Sequence, residues 1–316
     1  MLFNGDDFMI FDLHCDTLYE LFYKGGDLEQ SKNAVNLKNM QKADKFVRLF
    51  AIYTPDTLKG ADAKKHLQNL YNVFIKQMEL FSDKIKQITD FSDTEKSQCY
   101  AVLSVENANA LAGDLSEIER LKKLNVKLIS FTHNGENELG FGQLKNKGLK
   151  SFGKECIPVA EQNGIVWDVS HLSDKGFEDV CAIAKRPFIA SHSNARKICN
   201  HKRNLADEQI KEIIKRGGLI GLNFYRDFLN NDGKKADKYD ILRHCEHILS
   251  LGGENVLSVG TDFDGAEIIE GFKSDNELLG LEGFFVENGF SKELSQKIVF
   301  KNADNFFKSY FKEVQR

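Results

Sequence analysis

A short apolar run rich in β-branched and aromatic residues recurs eight times along the chain, and longer amphipathic stretches lie between the runs. The eight runs are Phe8–Thr17, Phe46–Thr54, Tyr100–Glu106, Val126–His133, Gly164–His171, Pro187–His192, Gly217–Tyr225 and Val256–Asp262. This alternation is typical of repeated βα units, and eight of them predict an α/β fold of the (β/α)8 TIM-barrel type. A doubly wound open sheet has the same alternation, so periodicity alone leaves barrel closure open.

The amphipathic stretches predict helices with apolar side chains on one face. They include Ala61–Ser82, Leu115–Leu124, Ser173–Ala184, Asp207–Arg216, Tyr239–Leu251 and Ser291–Phe311. Linkers rich in glycine, serine or proline are absent from the 316 residues, and 41% of them are hydrophobic. We therefore expect one globular domain over residues 1–316, a length that barrels commonly reach.

Charge and cysteine usage narrow the expected partners and location. Lys and Arg total 43 against 47 Asp and Glu, so the sequence predicts no nucleic-acid partner. The six cysteines are scattered without a CxxC pair and predict reduced thiols. Neither a secretory signal nor an apolar run of bilayer length is visible, so we expect a cytoplasmic protein with no membrane partner.

Most predicted strands end in a side chain that can bind a metal or move a proton. The carboxyl ends of barrel strands converge on one rim, so residues distant in sequence would face one pocket. His14 and Asp16 are two residues apart and leave the same face of a strand. Glu106 could bridge two cations with its two oxygens, although a salt bridge would also explain it. With His171 and His192, these residues predict a two-metal hydrolytic site.

Two further strand ends suit proton transfer and charge stabilisation. Asp262 could accept a proton from the attacking water and pass it to a leaving nitrogen, although Asp-Phe-Asp-Gly also has turn chemistry. Asp264 could instead hold the loop. His133 could donate a hydrogen bond to a developing oxyanion, or it could be structural. His244 and His247 are expected on an exposed helix face, and His66 in a solvated run.

These motifs together resemble the renal (membrane) dipeptidase family of zinc metallopeptidases, within the amidohydrolase-like barrels. The matching segments cover most of the chain in order. They are 12–17 (DLHCDT), 104–106 (SVE), 130–134 (SFTHN), 167–174 (WDVSHLSD), 187–196 (PFIASHSNAR), 199–205 (CNHKRNL), 217–225 (GGLIGLNFY) and 259–265 (VGTDFDG).

The resemblance implies a metal-dependent hydrolase that cleaves small dipeptides and holds two zinc ions per chain. It implies His14, Asp16, Glu106, His171 and His192 as ligands, with Glu106 bridging. It also implies catalytic roles for His133 and Asp262, and substrate binding by Arg203, Tyr225 and His133. Members of the family often form homodimers, which is one assembly open to this chain.

The sequence departs from the family pattern at two places. Asn107-Ala108 follow Glu106 where glycines are frequent, and Phe300-Lys301-Asn302-Ala303 replace a usual Gly-Gly-Asn. Neither change removes an expected ligand, but both bear on substrate preference. Dipeptides with a D-residue at the C-terminal position are among the expected substrates. The alternatives are another amidohydrolase, such as an N-acyl-amino-acid deacylase or a lactonase, and a metal-stabilised barrel with a binding role.

Overall fold

The structure, a computed structural model, describes residues 8–94 and 99–314. The N-terminal residues 1–7, on which the expected location partly depends, lie outside these ranges. The described residues form nine parallel strands. The strands are β1 (Met9–Cys15), β2 (Lys45–Tyr53), β3 (Ile85–Gln87), β4 (Cys99–Glu106), β5 (Val126–Ser130), β6 (Val166–Asp168), β7 (Ile189–Ala190), β8 (Leu219–Leu222) and β9 (Leu257–Val259).

Eight of these strands close into the predicted barrel. The hydrogen-bonded order is β2-β1-β9-β8-β7-β6-β5-β4, and β4 pairs with β2 over the register from Phe46 opposite Cys99 to Tyr53 opposite Glu106. This last pairing excludes the open sheet. The sequence did not predict β3, a short strand that pairs with the start of β4.

Helices lie between the strands and after the last one. Among the described residues they are α1 (Thr17–Lys24), α2 (Leu37–Met40), α3 (Gly60–Leu80), α4 (Ser116–Lys123), α5 (Ser151–Gln162), α6 (Asp174–Ile183), α7 (Asp207–Arg216), α8 (Arg226–Leu229), α9 (Lys238–Ser250), α10 (Asp275–Leu278), α11 (Leu281–Glu287), α12 (Lys292–Gln296) and α13 (Asn302–Val314). The predicted helix Ser291–Phe311 is divided into α12 and α13 by a π-helical segment, Lys297–Lys301. Within the replaced motif, Asn302 Nδ2 donates to the backbone oxygen of Leu257 in β9 (2.8 Å).

Seven of the eight predicted strands extend beyond the carboxyl ends of the observed ones, and the exception is Tyr100–Glu106, which ends where β4 ends. The sequence placed the end of the fourth predicted strand at His133, whereas β5 ends at Ser130. His133, His171, His192 and Asp262 lie in the loops that leave the strands, where the backbone turns. His171 and Asp262 have left-handed φ values of 69° and 64°, which cannot continue a β-strand.

Arg48 is fully buried in β2 and joins three parts of the fold. Its Nη2 donates to Asp12 Oδ2 in β1 (2.8 Å), and its Nη1 donates to Asp275 Oδ1 in α10 (2.6 Å). Asp12 in turn accepts hydrogen bonds from the backbone N–H (2.8 Å) and the hydroxyl (2.7 Å) of Thr261. The ion network therefore fixes the residue that precedes Asp262.

Two expectations about histidines are wrong. His244 is fully buried in α9, where Nδ1 accepts a hydrogen bond from Ala195 N (3.1 Å) and Nε2 donates to Leu229 O (3.0 Å). His66 is buried as well, with Nε2 3.1 Å from Tyr53 O. Both lie on the face of their helix that packs on the barrel, and a polar neighbourhood in sequence does not reveal that face.

Helices long and apolar enough to cross a membrane are absent from the described ranges.

We expect Arg48→Met to lower the free energy of unfolding by about 3–5 kcal/mol, because it leaves Asp12 and Asp275 buried without their cation. Equilibrium urea denaturation measures the change. The control is Arg120→Met, which removes a partly exposed ion pair with Glu117 and should cost about 1 kcal/mol or less. Equal losses in the two variants would contradict the structural role of Arg48.

Candidate active site

The five predicted metal ligands meet at the carboxyl rim of the barrel. His14 lies in β1 and Asp16 directly after it, while Glu106 is the last residue of β4. His171 and His192 lie in the loops that follow β6 and β7. All five are buried, although they come from positions throughout the chain. Barrel closure is what brings them together.

The two carboxylate oxygens of Glu106 face different histidines. Oε1 lies 2.8 Å from His171 Nε2 and 3.8 Å from His192 Nε2. Oε2 lies 3.6 Å from His14 Nε2, which is 3.4 Å from Asp16 Oδ2. The carboxylate of Glu106 therefore lies between two sets of candidate ligand atoms.

Within residues 8–94 and 99–314, three overlapping groups of side chains have ligand atoms within 4.8 Å of one another. They are His14 with Glu106 and His192, Glu106 with His133 and His171, and His14 with Asp16 and Asp262. His192 therefore groups with His14 as well as lying 2.8 Å from His171. Placing His14 and Asp16 on one cation and His171 and His192 on the other is one of the arrangements that this cluster allows.

Hydrogen bonds at the Nδ1 atoms of His171 and His192 orient the two rings so that their Nε2 atoms point into the cluster. His171 Nδ1 donates to Asn134 Oδ1 (2.9 Å). Ser191 donates its hydroxyl proton to Asp168 (2.6 Å), so its Oγ accepts from His192 Nδ1 (2.7 Å). The Nε2 lone pairs of the two imidazoles then face each other across 2.8 Å. Such a contact needs an electron-pair acceptor between or beside the nitrogens.

The burial of several carboxylates also favours cations. His14 Nε2 and Asp16 Oδ1 are buried without a hydrogen-bond partner. Burial, followed by the charge of Asp16, raises the pKa of Glu106 well above its usual range. Burial alone would lower the pKa of His14, but Glu106 and Asp16 raise it to about 10. Imidazole and carboxylate donors of this kind fit zinc and similar divalent ions.

Asp262 lies beside this cluster and is held from its far side. Its Oδ2 accepts from Asn223 Nδ2 (3.0 Å), and its Oδ1 lies 3.8 Å from His14 Nε2. Burial raises the pKa of Asp262. A Cβ at Gly265 would lie 2.0 Å from Asp16 Oδ2 and 2.9 Å from Asp262 Oδ1, so glycine allows this loop to approach both carboxylates.

Asp264 holds its loop against the start of α1 and the segment before α2, which agrees with the loop-holding role predicted for it. Its Oδ2 accepts from the Thr17 hydroxyl (2.6 Å), and its Oδ1 accepts from Ala34 N (2.7 Å).

Arg203 is buried behind His192 with its donors poorly satisfied. Nη1 lies 3.5 Å from Ser193 Oγ, Nη2 lies 3.4 Å from His192 O, and Nε has no hydrogen-bond partner. Its guanidinium packs on the ring of Phe228 (5.3 Å to the centroid). Burial lowers the pKa of Arg203 to about 10, which leaves it protonated at neutral pH. A buried cation with free donors is suited to an anionic group of a ligand.

A cavity of about 490 Å³ opens beside these groups. It is lined by Asp16, Tyr19, Glu20, Tyr53, Glu106, His133, Asn134, His171, Tyr225, Phe228, Asp262, Asp264, Gly265, Ala266 and Glu267. Tyr225 lines the cavity, and its hydroxyl donates to Asp227 Oδ2 (2.7 Å). The lining is acidic and aromatic, which suits a small ligand with a positive end.

His133 lines the cavity and contacts Asp56, a residue that the sequence analysis did not identify. Its Nδ1 lies 3.2 Å from Asp56 Oδ2, and its ring centroid lies 4.6 Å from that of His171. Asp56 lies three residues beyond the end of β2, the one predicted strand end to which no chemical role was given. Its position after a barrel strand is the signal that could have identified it.

Comparisons with known proteins agree with this fold. A family model described as membrane dipeptidase (peptidase family M19) matches residues 5–312. An uncharacterised dipeptidase of Schizosaccharomyces pombe is 30% identical over 217 residues, which are 66% of this chain and 51% of that protein. This chain thus aligns with about half the length of that relative.

Two solved structures superpose on nearly the whole chain. One is the dipeptidase AC, a metallopeptidase, with a TM-score of 0.89, 24% identity, and coverage of 96% of this chain and 98% of that one. The other is a metallopeptidase of Rhodobacter sphaeroides liganded with a phosphinate mimic of the dipeptide L-Ala-D-Ala. It has a TM-score of 0.88 and 22% identity, and the match covers 96% and 99% of the two chains. At these identities the likeness supports the barrel fold alone.

We expect zinc to raise the midpoint of thermal unfolding, because His14 Nε2 and Asp16 Oδ1 are buried without partners. At a free zinc concentration of 100 times Kd the gain is about 2.7 kcal/mol per site. Differential scanning calorimetry of chelator-treated protein, with and without zinc, measures it. His14→Gln should diminish the gain, whereas His247→Ala, which alters a histidine paired with Asp207, should retain it. An equal gain in wild type and His14→Gln would contradict this site.

Proposed function

Since the chain belongs to the membrane dipeptidase family, we propose that it is a binuclear zinc dipeptidase whose substrates carry a free amine and a free carboxylate. The observation that carries the proposal is Arg203, a buried guanidinium with an unpartnered Nε beside a cluster of candidate metal ligands. A metal centre alone would suit many hydrolases. A buried cation next to it selects a substrate with an anionic end at a fixed distance from the bond that breaks.

Two zinc ions are proposed, with Glu106 as the ligand shared between them. The support is that Oε1 and Oε2 of this carboxylate face different histidines. Asp16 would complete the set around His14. When bound, zinc supplies a Lewis acid for the scissile carbonyl and lowers the pKa of the attacking water. The residues of the chain then have to bind the substrate, orient it and move one proton.

Asp262 is the proposed proton carrier. Water forms a bond to the carbonyl carbon and gives one proton to Asp262, which transfers it to the leaving nitrogen as the C–N bond breaks. Asn223 holds Oδ2, so Oδ1 is the oxygen directed toward the cluster. The products are two amino acids, and the carboxylate of Asp262 is regenerated.

His133 is proposed to stabilise the negative charge that develops on the carbonyl oxygen. It lines the cavity next to His171, and its Nδ1 contacts Asp56. Nε2, which Asn134 Nδ2 contacts in the structure (3.1 Å), is therefore the nitrogen proposed to face the substrate. The carboxylate of Asp56, 3.2 Å from Nδ1, lies where it would balance positive charge on this ring.

Arg203 and Tyr225 are proposed to bind the C-terminal end of the dipeptide. The carboxylate would take the free donors of Arg203, and Tyr225 would bound the cavity near Phe228. The acidic lining, including Glu20, suits the free ammonium at the other end. Substrates with a D-residue at the C-terminal position are included, because the Rhodobacter sphaeroides metallopeptidase of the same fold is liganded with an L-Ala-D-Ala mimic.

A cytoplasmic location is also part of the proposal. The six cysteines are all free, and five of them are buried. Unpaired thiols are typical of a reducing compartment, whereas secreted proteins usually pair theirs.

We expect Arg203→Ala to raise KM for dipeptides about 10- to 100-fold, because a charge-assisted hydrogen bond contributes about 1.5–3 kcal/mol. Steady-state hydrolysis of L,L and L,D dipeptides measures it. The substrate control is a dipeptide amide, which has no carboxylate and should be cleaved equally poorly by both proteins. Arg120→Ala, outside the cavity, should leave KM unchanged. Unchanged dipeptide kinetics in Arg203→Ala, with cleavage of N-acyl amino acids or lactones, would favour another amidohydrolase.

A further inference from the structure

Asp56 lies in the loop between β2 and α3, outside the set of residues that line the cavity. Its Oδ2 accepts from His133 Nδ1 (3.2 Å) and from Gly135 N (2.9 Å). We propose that Asp56 is a positioning residue that fixes Nδ1 as a protonated nitrogen of His133 and thereby presents Nε2 to the substrate. The inference rests on the proposed dipeptidase function and assigns this function an additional residue.

The chemistry of the contact determines which atom donates. An ionised carboxylate only accepts hydrogen bonds, so the proton in this contact belongs to His133 Nδ1. Burial alone would raise the pKa of Asp56, but the hydrogen bond and the charge of His133 outweigh it and hold the pKa below its usual range. The carboxylate is therefore ionised near neutral pH. The same arrangement orients histidines in other catalytic and metal sites.

Asp56 is itself held by the residue that follows Glu106. Asn107 Nδ2 donates to Asp56 Oδ1 (3.0 Å) and to Thr54 O (2.8 Å). Asn107 has a left-handed φ of 69°, a conformation that asparagine tolerates better than most residues with a side chain. The replacement of a family glycine by Asn107 thus retains the backbone turn and adds a support for Asp56.

The backbone of Gly135 approaches the same carboxylate closely. A Cβ at Gly135 would lie 2.9 Å from Asp56 Oδ2, so a larger residue would displace the carboxylate or the loop. The contact from Gly135 N and the contact from His133 Nδ1 therefore hold one oxygen between two donors. This fixes Asp56 relative to the loop that carries His133.

The remaining faces of the His133 ring are also occupied. Asn134 Nδ2 lies 3.1 Å from Nε2, while Asn134 Oδ1 accepts from His171 Nδ1. The ring centroid of Tyr53 lies 4.9 Å away, edge-on. In this structure the Asn134 amide donates to Nε2. A substrate carbonyl needs a donor at that nitrogen, so it would displace Asn134, whereas the Nδ1 contact with Asp56 persists. Holding a ring in its reactive orientation before the substrate arrives lowers the cost of reorganisation in the transition state.

A double-mutant cycle on the zinc-loaded full chain tests the inference. We expect Asp56→Asn to lower kcat about 10- to 100-fold, with KM within about twofold and zinc content unchanged. His133→Gln should lower kcat at least as much. If Asp56 acts through His133, adding Asp56→Asn to His133→Gln should change kcat by less than about twofold. Asp114→Asn, an exposed aspartate that contacts Ser116, is the matched control and should leave kcat unchanged.

Two kinetic results would overturn the inference: full kcat in Asp56→Asn, or losses that multiply in the double variant.

A second readout does not depend on hydrolysis. In proton NMR spectra of ¹⁵N-histidine-labelled protein, we expect a downfield Nδ1–H signal that disappears in both His133→Gln and Asp56→Ala. Persistence of the signal in Asp56→Ala would also overturn the inference. A wild type that cleaves no dipeptide would contradict the proposed function, while the NMR signal would still test the contact.

Discussion

Buried carboxylates that the polypeptide does not neutralise by itself are the constraint on which this site depends. Asp16, Glu106 and Asp262 lie together at the barrel rim, and burial raises the pKa of Glu106 and Asp262. In contrast, the fully buried carboxylates of Asp12 and Asp275 both form ion pairs with Arg48. Among the described residues, the cations that act on Glu106 and Asp262 are His14 and Arg203, and Arg203 makes only long contacts of its own with Ser193 and His192. Divalent cations held by these side chains would satisfy this demand.

The loops at the rim adopt backbone conformations that ordinary strand ends avoid. His171, Asp262 and Asn107 all have left-handed φ values. Such residues cost free energy and persist where surrounding contacts fix them. Here the fixing contacts include Asn134 with His171, Asn223 with Asp262, and Asn137 with Asn107. Hydrogen bonds from asparagine side chains therefore fix the conformation of the loops that carry these residues.

Periodicity and strand-end chemistry predicted much of this arrangement, because both are local in sequence. Eight apolar runs marked the barrel strands, and His14, Glu106 and His192 each stood at the end of one. Closure, in contrast, depends on the pairing of β2 with β4, and the contact between Asp56 and His133 joins residues 77 positions apart. Nor could a single sequence predict that His244 faces the barrel. These features follow from helix orientation and loop path, which local patterns do not encode.

The central claim, a hydrolytic site that requires two cations, is tested most directly by titrating metal-free protein with zinc while following the hydrolysis of a dipeptide. The account predicts that activity is low at one equivalent and reaches its plateau at about two equivalents per chain. It further predicts that Asp262→Asn takes up the same amount of zinc without gaining activity. A plateau at one equivalent, or hydrolysis that is independent of added metal, would contradict the binuclear mechanism.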